Sequence, residues 1–352
     1  MKKYTLILIV LIATAIKTVY AEDALQDGLN AYKNANYTQA IKILKPLAKD
    51  GDSEAQYLVG DMFQYGRGFK QNLEEASKWY RLAAESGNSD AQNSLGLLYQ
   101  KGLGVQADLA EARIWFGFAA QQNNPSAQNN LGLIYANGLG VERDDAAAFE
   151  WYHLSAEAGL AEAQLNLAQM YANGRGVENN DAMVLKWLEL SAQKGYAPAQ
   201  NTLGLRYANG SGVKQNDIEA AKLFKLAAAQ GYVESYNNLG LMYVEGRGLS
   251  RDSQEAEKLF ELAAREGKSV AQNNLGFLYE EARGVAQDYV VAYVWYSMAA
   301  SKIPLAGDRR DAITKKMTSD QVLQANQLAK ECLSSLYKRC FPRVGAYKDK
   351  FK

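Results

Sequence analysis

The sequence predicts an all-α chain, a solenoid of stacked antiparallel helix hairpins, and three observations predict it. A 36-residue period runs from Ala55 through Ala91, Ala127, Ala163, Ala199 and Ser235 to Ala271 without one insertion. Of the 29 glycines, 25 fall at three repeated places within that period. All five tryptophans (Trp79, Trp115, Trp151, Trp187, Trp295) share one register, which Leu223 and Leu259 fill in the two copies without one.

The elements follow in chain order. Residues 1–21 read as a signal peptide: Lys2 and Lys3 precede an apolar run from Leu6 to Ile16, and Val19-Tyr20-Ala21 has the small-x-small form of a cleavage site. An uncleaved anchor is the alternative, but the run is short for a bilayer span. Cleavage after Ala21 places the mature chain in the periplasm or outside the cell. Residues 22–52 read as an N-terminal capping hairpin, with an Asn-rich turn at Asn34 to Asn36.

Seven units then fill residues 53–301. The first helix of each carries apolar positions such as Leu131, Leu133 and Tyr135 around a central glycine (Gly60, Gly96, Gly132, Gly204, Gly240, Gly276), where a missing side chain lets the second helix approach. A Gly-x-Gly turn follows, as at Gly138 and Gly140. The second helix carries small and aromatic residues, as in Ala76, Trp79, Ala83 and Ala84, and ends on a glycine such as Gly87 or Gly159, a left-handed cap position. One hairpin cannot bury its own apolar face, so the units must stack. Residues 302–340 start in phase, lose the Gly-x-Gly turn and read as a helical cap; residues 341–352 read as a flexible basic tail.

These motifs resemble the Sel1-like repeat: Ala127-Gln128-Asn129-Asn130-Leu131-Gly132, then Tyr135, Gly138-Leu139-Gly140-Val141, Trp151 and Ala156. The resemblance covers residues 24 to about 335. It implies a right-handed superhelix, similar to tetratricopeptide arrays, whose members act as adaptors and regulators in protein complexes. Arg310-Asp311, Met317-Thr318 and Gln327-Leu328-Ala329 resemble the tail that follows many bacterial Sel1 arrays.

Composition excludes little but is consistent with this. Formal charge is zero, 39 basic against 39 acidic residues, so there is no electrostatic case for nucleic acid, and an exported chain without Lys2, Lys3 and Lys17 would be slightly acidic, with no attraction to an anionic membrane surface. Chemistry is sparse. His153 is the single histidine and has no partner set for a metal. Ser335 and Lys338 have the Ser-x-x-Lys spacing of penicillin-recognising enzymes without the accompanying motifs. The Gly-x-Gly turns follow no strand and precede no Gly-Lys-Ser/Thr, so they are not phosphate loops. No catalytic residue, cofactor or metal is assigned. Cys332 and Cys340 stand about 12 Å apart on a straight helix, so the disulfide expected after export requires a break in the helix; a metal pair or catalytic dithiol is the alternative.

The candidate partner-binding residues lie on the first helices, which line the concave face if the hairpins stack as in tetratricopeptide arrays. Two positions after the opening Ala stand Asn93, Asn129, Asn201, Asn237 and Asn273, and at the end of the same helix Asn137, Asn173 and Asn209. A row of amides that both donate and accept suits the backbone of an extended peptide. The competing reading is that Asn residues bond neighbouring repeats, which is how Asn130, Asn166, Asn238 and Asn274 are read. Tyr232, Tyr236, Tyr289, Tyr293 and Tyr296 form either a partner interface or core. The functional expectation is a scaffold or adaptor outside the cytoplasm that binds a peptide or protein. Alternatives are an exported host-interaction (virulence) factor using the same surface, and an enzyme acting on cell wall or β-lactams.

Overall fold

The structure, a computed structural model, describes residues 22–334, and among these the chain is all-α, with eighteen helices and no strand. The chain divides into two compact units, the first ending at Asn179 and the second beginning at Asn180. In the first, α1 (residues 22–33) and α2 (Tyr37–Lys49) make the N-terminal hairpin. First helices α3 (Ser53–Tyr65), α5 (Ser89–Lys101), α7 (Pro125–Asn137) and α9 (Ala161–Asn173) alternate with second helices α4 (Leu73–Glu85), α6 (Leu109–Gln121) and α8 (Asp145–Glu157). The second unit holds α10 (Asp181–Gln193), α11 (Ala197–Asn209), α12 (Asp217–Ala229), α13 (Val233–Glu245), α14 (Ser253–Arg265), α15 (Ser269–Glu280) and α16 (Tyr289–Ala299), closed by α17 (Pro304–Thr314) and α18 (Ser319–Ser334). Within each unit a first helix packs on the second helix of its own repeat and on that of the repeat before.

The helices are short because each is bounded by chemistry. Asp52, Asn88 and Asn124 accept hydrogen bonds from the N–H of Ala55, Ala91 and Ala127, capping the first helices α3, α5 and α7, though not α9, α11, α13 or α15. Asn72, Asp144, Asn216 and Asp288 do the same for second helices. At the other end, Gly66 turns left-handed at φ 68° and its N–H bonds to the Met62 carbonyl, the expected use of that glycine. Where the glycine is missing the backbone still makes the turn: Asn123 has φ 61° and Ala282 φ 53°. Asn tolerates this conformation; Ala282 holds it under strain.

Two adjacent positions of the second helix build the core. In the tryptophan register Trp79, Trp115 and Trp151 are half-buried while Trp187, Leu223, Leu259 and Trp295 are buried, and the next residue is sealed inside: Tyr80, Phe116 and Tyr152, followed in the second unit by Phe224, Phe260 and Tyr296. Each of these rings lies on the central glycine of its own first helix. A Cβ on Gly60, Gly132 or Gly276 would stand 2.5–2.7 Å from the ring of Tyr80, Tyr152 or Tyr296, so the glycine sets how closely the hairpin closes. Of the tyrosine cluster, Tyr293 and Tyr296 are core, buried with Ile313 and Ala325 under the terminal helices. Cys332 is buried on α18 beside Trp295 and Met298; Cys340 lies outside the described residues, as do residues 1–21, read above as a signal peptide, and residues 341–352.

Candidate functional site

The faces of the stacked helices are set by polar bonds inside the stack. Gln56, Gln92, Gln128, Gln164, Gln200 and Gln272 are all buried. Each donates its side-chain N–H to the carbonyl of an alanine at the end of the preceding second helix, at 3.0–3.4 Å. A buried amide without a partner is costly, so each bond holds one repeat in register with the next. Only the pattern position directly after the opening Ala marks these glutamines in the sequence.

The expected asparagine ladder has a similar duty. Asn130, Asn166, Asn238 and Asn274 donate Nδ2–H to the Oδ1 of Asn93, Asn129, Asn201 and Asn237 in the repeat before, each at 2.9 Å. Asn201 also accepts from the Ser235 hydroxyl at 3.0 Å. The acceptor half of these four amides is thus engaged between repeats, and Asn129 and Asn201 are buried. Asn93, Asn237 and Asn273 are half-buried, and Asn137, Asn173 and Asn209 stand exposed at the ends of α7, α9 and α11. The structure thus separates the candidates into an inner row that ties the stack and an outer row that faces solvent.

A third inter-repeat device was not anticipated. Arg175, the middle residue of its Gly-x-Gly turn, donates to Asp145 at 2.6 Å and to the Ala136 carbonyl at 2.7 Å in the preceding repeat. Arg247 does the same to Asp217 at 2.7 Å and the Ala208 carbonyl at 2.6 Å. Hydrogen bonds from Arg143 and Arg175 hold the Asp145 carboxyl well below the usual carboxylate range, and Arg247 lowers that of Asp217. The signal was present in the sequence as arginine and aspartate thirty residues apart in two copies.

Other candidates gather no chemistry. His153 stacks on Phe149 with ring centroids 5.8 Å apart and lies 3.6 Å from Glu157. Among the described residues no three His, Cys, Asp or Glu side chains cluster in a metal-binding arrangement, and no helix is long and apolar enough to cross a membrane. Ser335 and Lys338 lie outside the described residues.

The family model of the Sel1 repeat matches seven consecutive segments, residues 53–88, 89–124, 125–160, 161–196, 197–232, 233–268 and 269–302. The chain belongs to the Sel1 repeat family. A Sel1 repeat protein of Oxalobacter formigenes is 34% identical, with a TM-score of 0.65 over 68% of this chain and 99% of that one. The protective antigen c5321 of uropathogenic Escherichia coli is 30% identical over 92% of this chain and 87% of its own, with a TM-score of 0.46. No curated protein matches the chain significantly. Sel1 repeat proteins generally serve as protein-interaction scaffolds, and the Sel1 solenoid is typically a non-catalytic fold. The glutamines, paired asparagines and ring-on-glycine contacts above are how these repeats build such a scaffold.

Proposed function

We propose that the chain is an exported scaffold, periplasmic or secreted, that binds a peptide or protein partner on the face of its first helices. Export rests on Lys2, Lys3, the apolar run from Leu6 to Ile16 and Ala21. The binding reading is carried by one observation: the amides that tie the repeats are turned inward, while Asn137, Asn173 and Asn209 recur, exposed, at the ends of successive first helices. Uncharged amides can meet the N–H and C=O groups of an extended chain.

The test is affinity capture from the native cell envelope and, separately, from host lysate. The full chain is compared with Asn137→Arg/Asn173→Arg/Asn209→Arg and with Ile114→Arg/Leu154→Arg on exposed positions of second helices. A partner lost only with the asparagine variant supports the reading. A partner lost only with the second-helix variant overturns it.

A further inference from the structure

The arginine clamp is broken in one repeat. Arg283 holds the middle of the seventh turn, as Arg175 and Arg247 do in theirs, but the position thirty residues back, Asp145 and Asp217 in those copies, is Ser253. A serine cannot neutralise the guanidinium. Arg283 is exposed and lies over the ring of Phe277, 4.7 Å from its centroid. Arg309 of α17 lies 5.1 Å from the centroid of the same ring. Among the described residues neither guanidinium has a carboxylate within ion-pair distance, although Arg309 lies near the Tyr296 hydroxyl, which donates to Glu280 at 2.7 Å.

The two arginines border a cavity of about 230 Å³ whose apolar wall includes Leu241, Val244 and Phe260. Asn273 lines it too and is the last member of the inner asparagine row. Its Oδ1 has no donor among the described residues, because the position that supplies one in earlier repeats is Arg310, which is paired with Asp311. Glu245 also borders the cavity, but Arg247 stands 3.5 Å from it. The volume is below the roughly 300 Å³ at which drug-sized pockets begin; it suits the end of a chain.

We propose that this cavity takes the C-terminal residue of a peptide. The terminal carboxylate would meet Arg283 and Arg309, the apolar side chain would lie against Leu241 and Val244, and the residue's N–H would reach the Asn273 amide. Guanidinium donors match a carboxylate in geometry as well as charge, and one terminal residue carries all three features on a single Cα. The proposal rests on the reading that the first-helix face binds a peptide, since Leu241, Val244 and Asn273 belong to α13 and α15.

The experiment uses the purified full chain and a fluorescently labelled hexapeptide of five alanines ending in leucine, read by anisotropy at low and at 150 mM salt. Three probes are compared: the free acid, its C-terminal amide, and an amide with an internal glutamate. The proposal expects the free acid to bind at least tenfold tighter than either amide, with a preference that shrinks as salt rises. Arg283→Gln should abolish that preference. So should Ser253→Asp, which rebuilds the clamp and draws Arg283 away without touching the cavity wall. Equal binding of acid and amide, no binding of the acid, or an unchanged preference in Ser253→Asp overturns the proposal. Any of these outcomes alongside a partner captured through Asn137, Asn173 and Asn209 would leave the scaffold reading intact and remove only this site.

Discussion

Replacing Gly132 by alanine should destabilise the first unit even though alanine is the better helix former. A Cβ at this position would lie 2.5 Å from Cδ1 and 2.6 Å from Cε1 of Tyr152, whose side chain is 4% exposed. Favourable carbon contacts need about 3.5 Å, so the ring must move by about 1 Å into a packed interior. Overpacking of this kind costs about 1–3 kcal/mol, against about 1 kcal/mol gained by alanine over glycine within a helix. The expected net loss is up to about 2 kcal/mol. Tyr152→Leu alone should cost about 2–4 kcal/mol by leaving a cavity, but with Gly132→Ala in place the new methyl occupies part of that space. The double variant should therefore be more stable than the sum of the singles by about 1 kcal/mol or more. The chain contains a natural counterpart, Ala168 with Leu188 in the fourth repeat, where the others have glycine with an aromatic ring. Urea unfolding of the four proteins, followed by circular dichroism, measures the cycle. A stabilising Gly132→Ala, or strict additivity in the cycle, would refute the ring-on-glycine contact as the cause.

Asn201→Ala should cost about 1–3 kcal/mol, because it strands the donors of both Asn238 and Ser235; a urea midpoint equal to wild type would show that the inner row ties nothing. Glu261, buried on α14 and facing the charge of Glu257, has its carboxyl pushed up from 4.5 to about 7, mainly by burial. The folded state then holds the proton more tightly than the unfolded one, so stability falls as pH rises from about 4.5 to 7, by about 3 kcal/mol at most. Glu261→Gln should raise the melting temperature at pH 8 and leave it nearly unchanged at pH 4, and equal shifts at both would contradict this. Asp145 works in the opposite sense: its depressed carboxyl contributes stability above about pH 4 that is lost as pH falls through the folded value. Because the ion pairs are partly solvated, Asp145→Asn should cost only about 0.5–1 kcal/mol at pH 7, and the cost should shrink as the pH is lowered from about 4 towards 2, measured by thermal melts.

Much of this architecture was legible because repetition writes each structural need seven times. Glycine at the helix centre, glycine in the turn and the opening alanine follow from backbone geometry and close packing, which one residue type satisfies. Which ring meets the glycine was not legible: Trp79 and Tyr80 are adjacent, both recur as apolar positions, and periodicity alone does not show which of two neighbours on a helix points at the glycine. The asparagine pairs were harder still. Positions 93 and 130 both repeat, and only coordinates reveal that the amide of one repeat bonds the amide of the next. The clamp of Arg247 on Asp217, and its absence at Arg283 and Ser253, lie in the departures between copies, which a search for the shared pattern averages away.

We propose that partners dock on the first-helix face. This docking is tested most directly by a photo-crosslinking amino acid placed singly at Asn137, Asn173, Asn209 and Leu205, and in parallel at Ile114, Leu154 and Leu226 on exposed second-helix positions. The chain is expressed in its native cell and its crosslinked products are identified after irradiation. Docking on the first helices should give one specific protein adduct from the first set and none from the second. Specific adducts confined to the second set would place the partner on the opposite helices and contradict it.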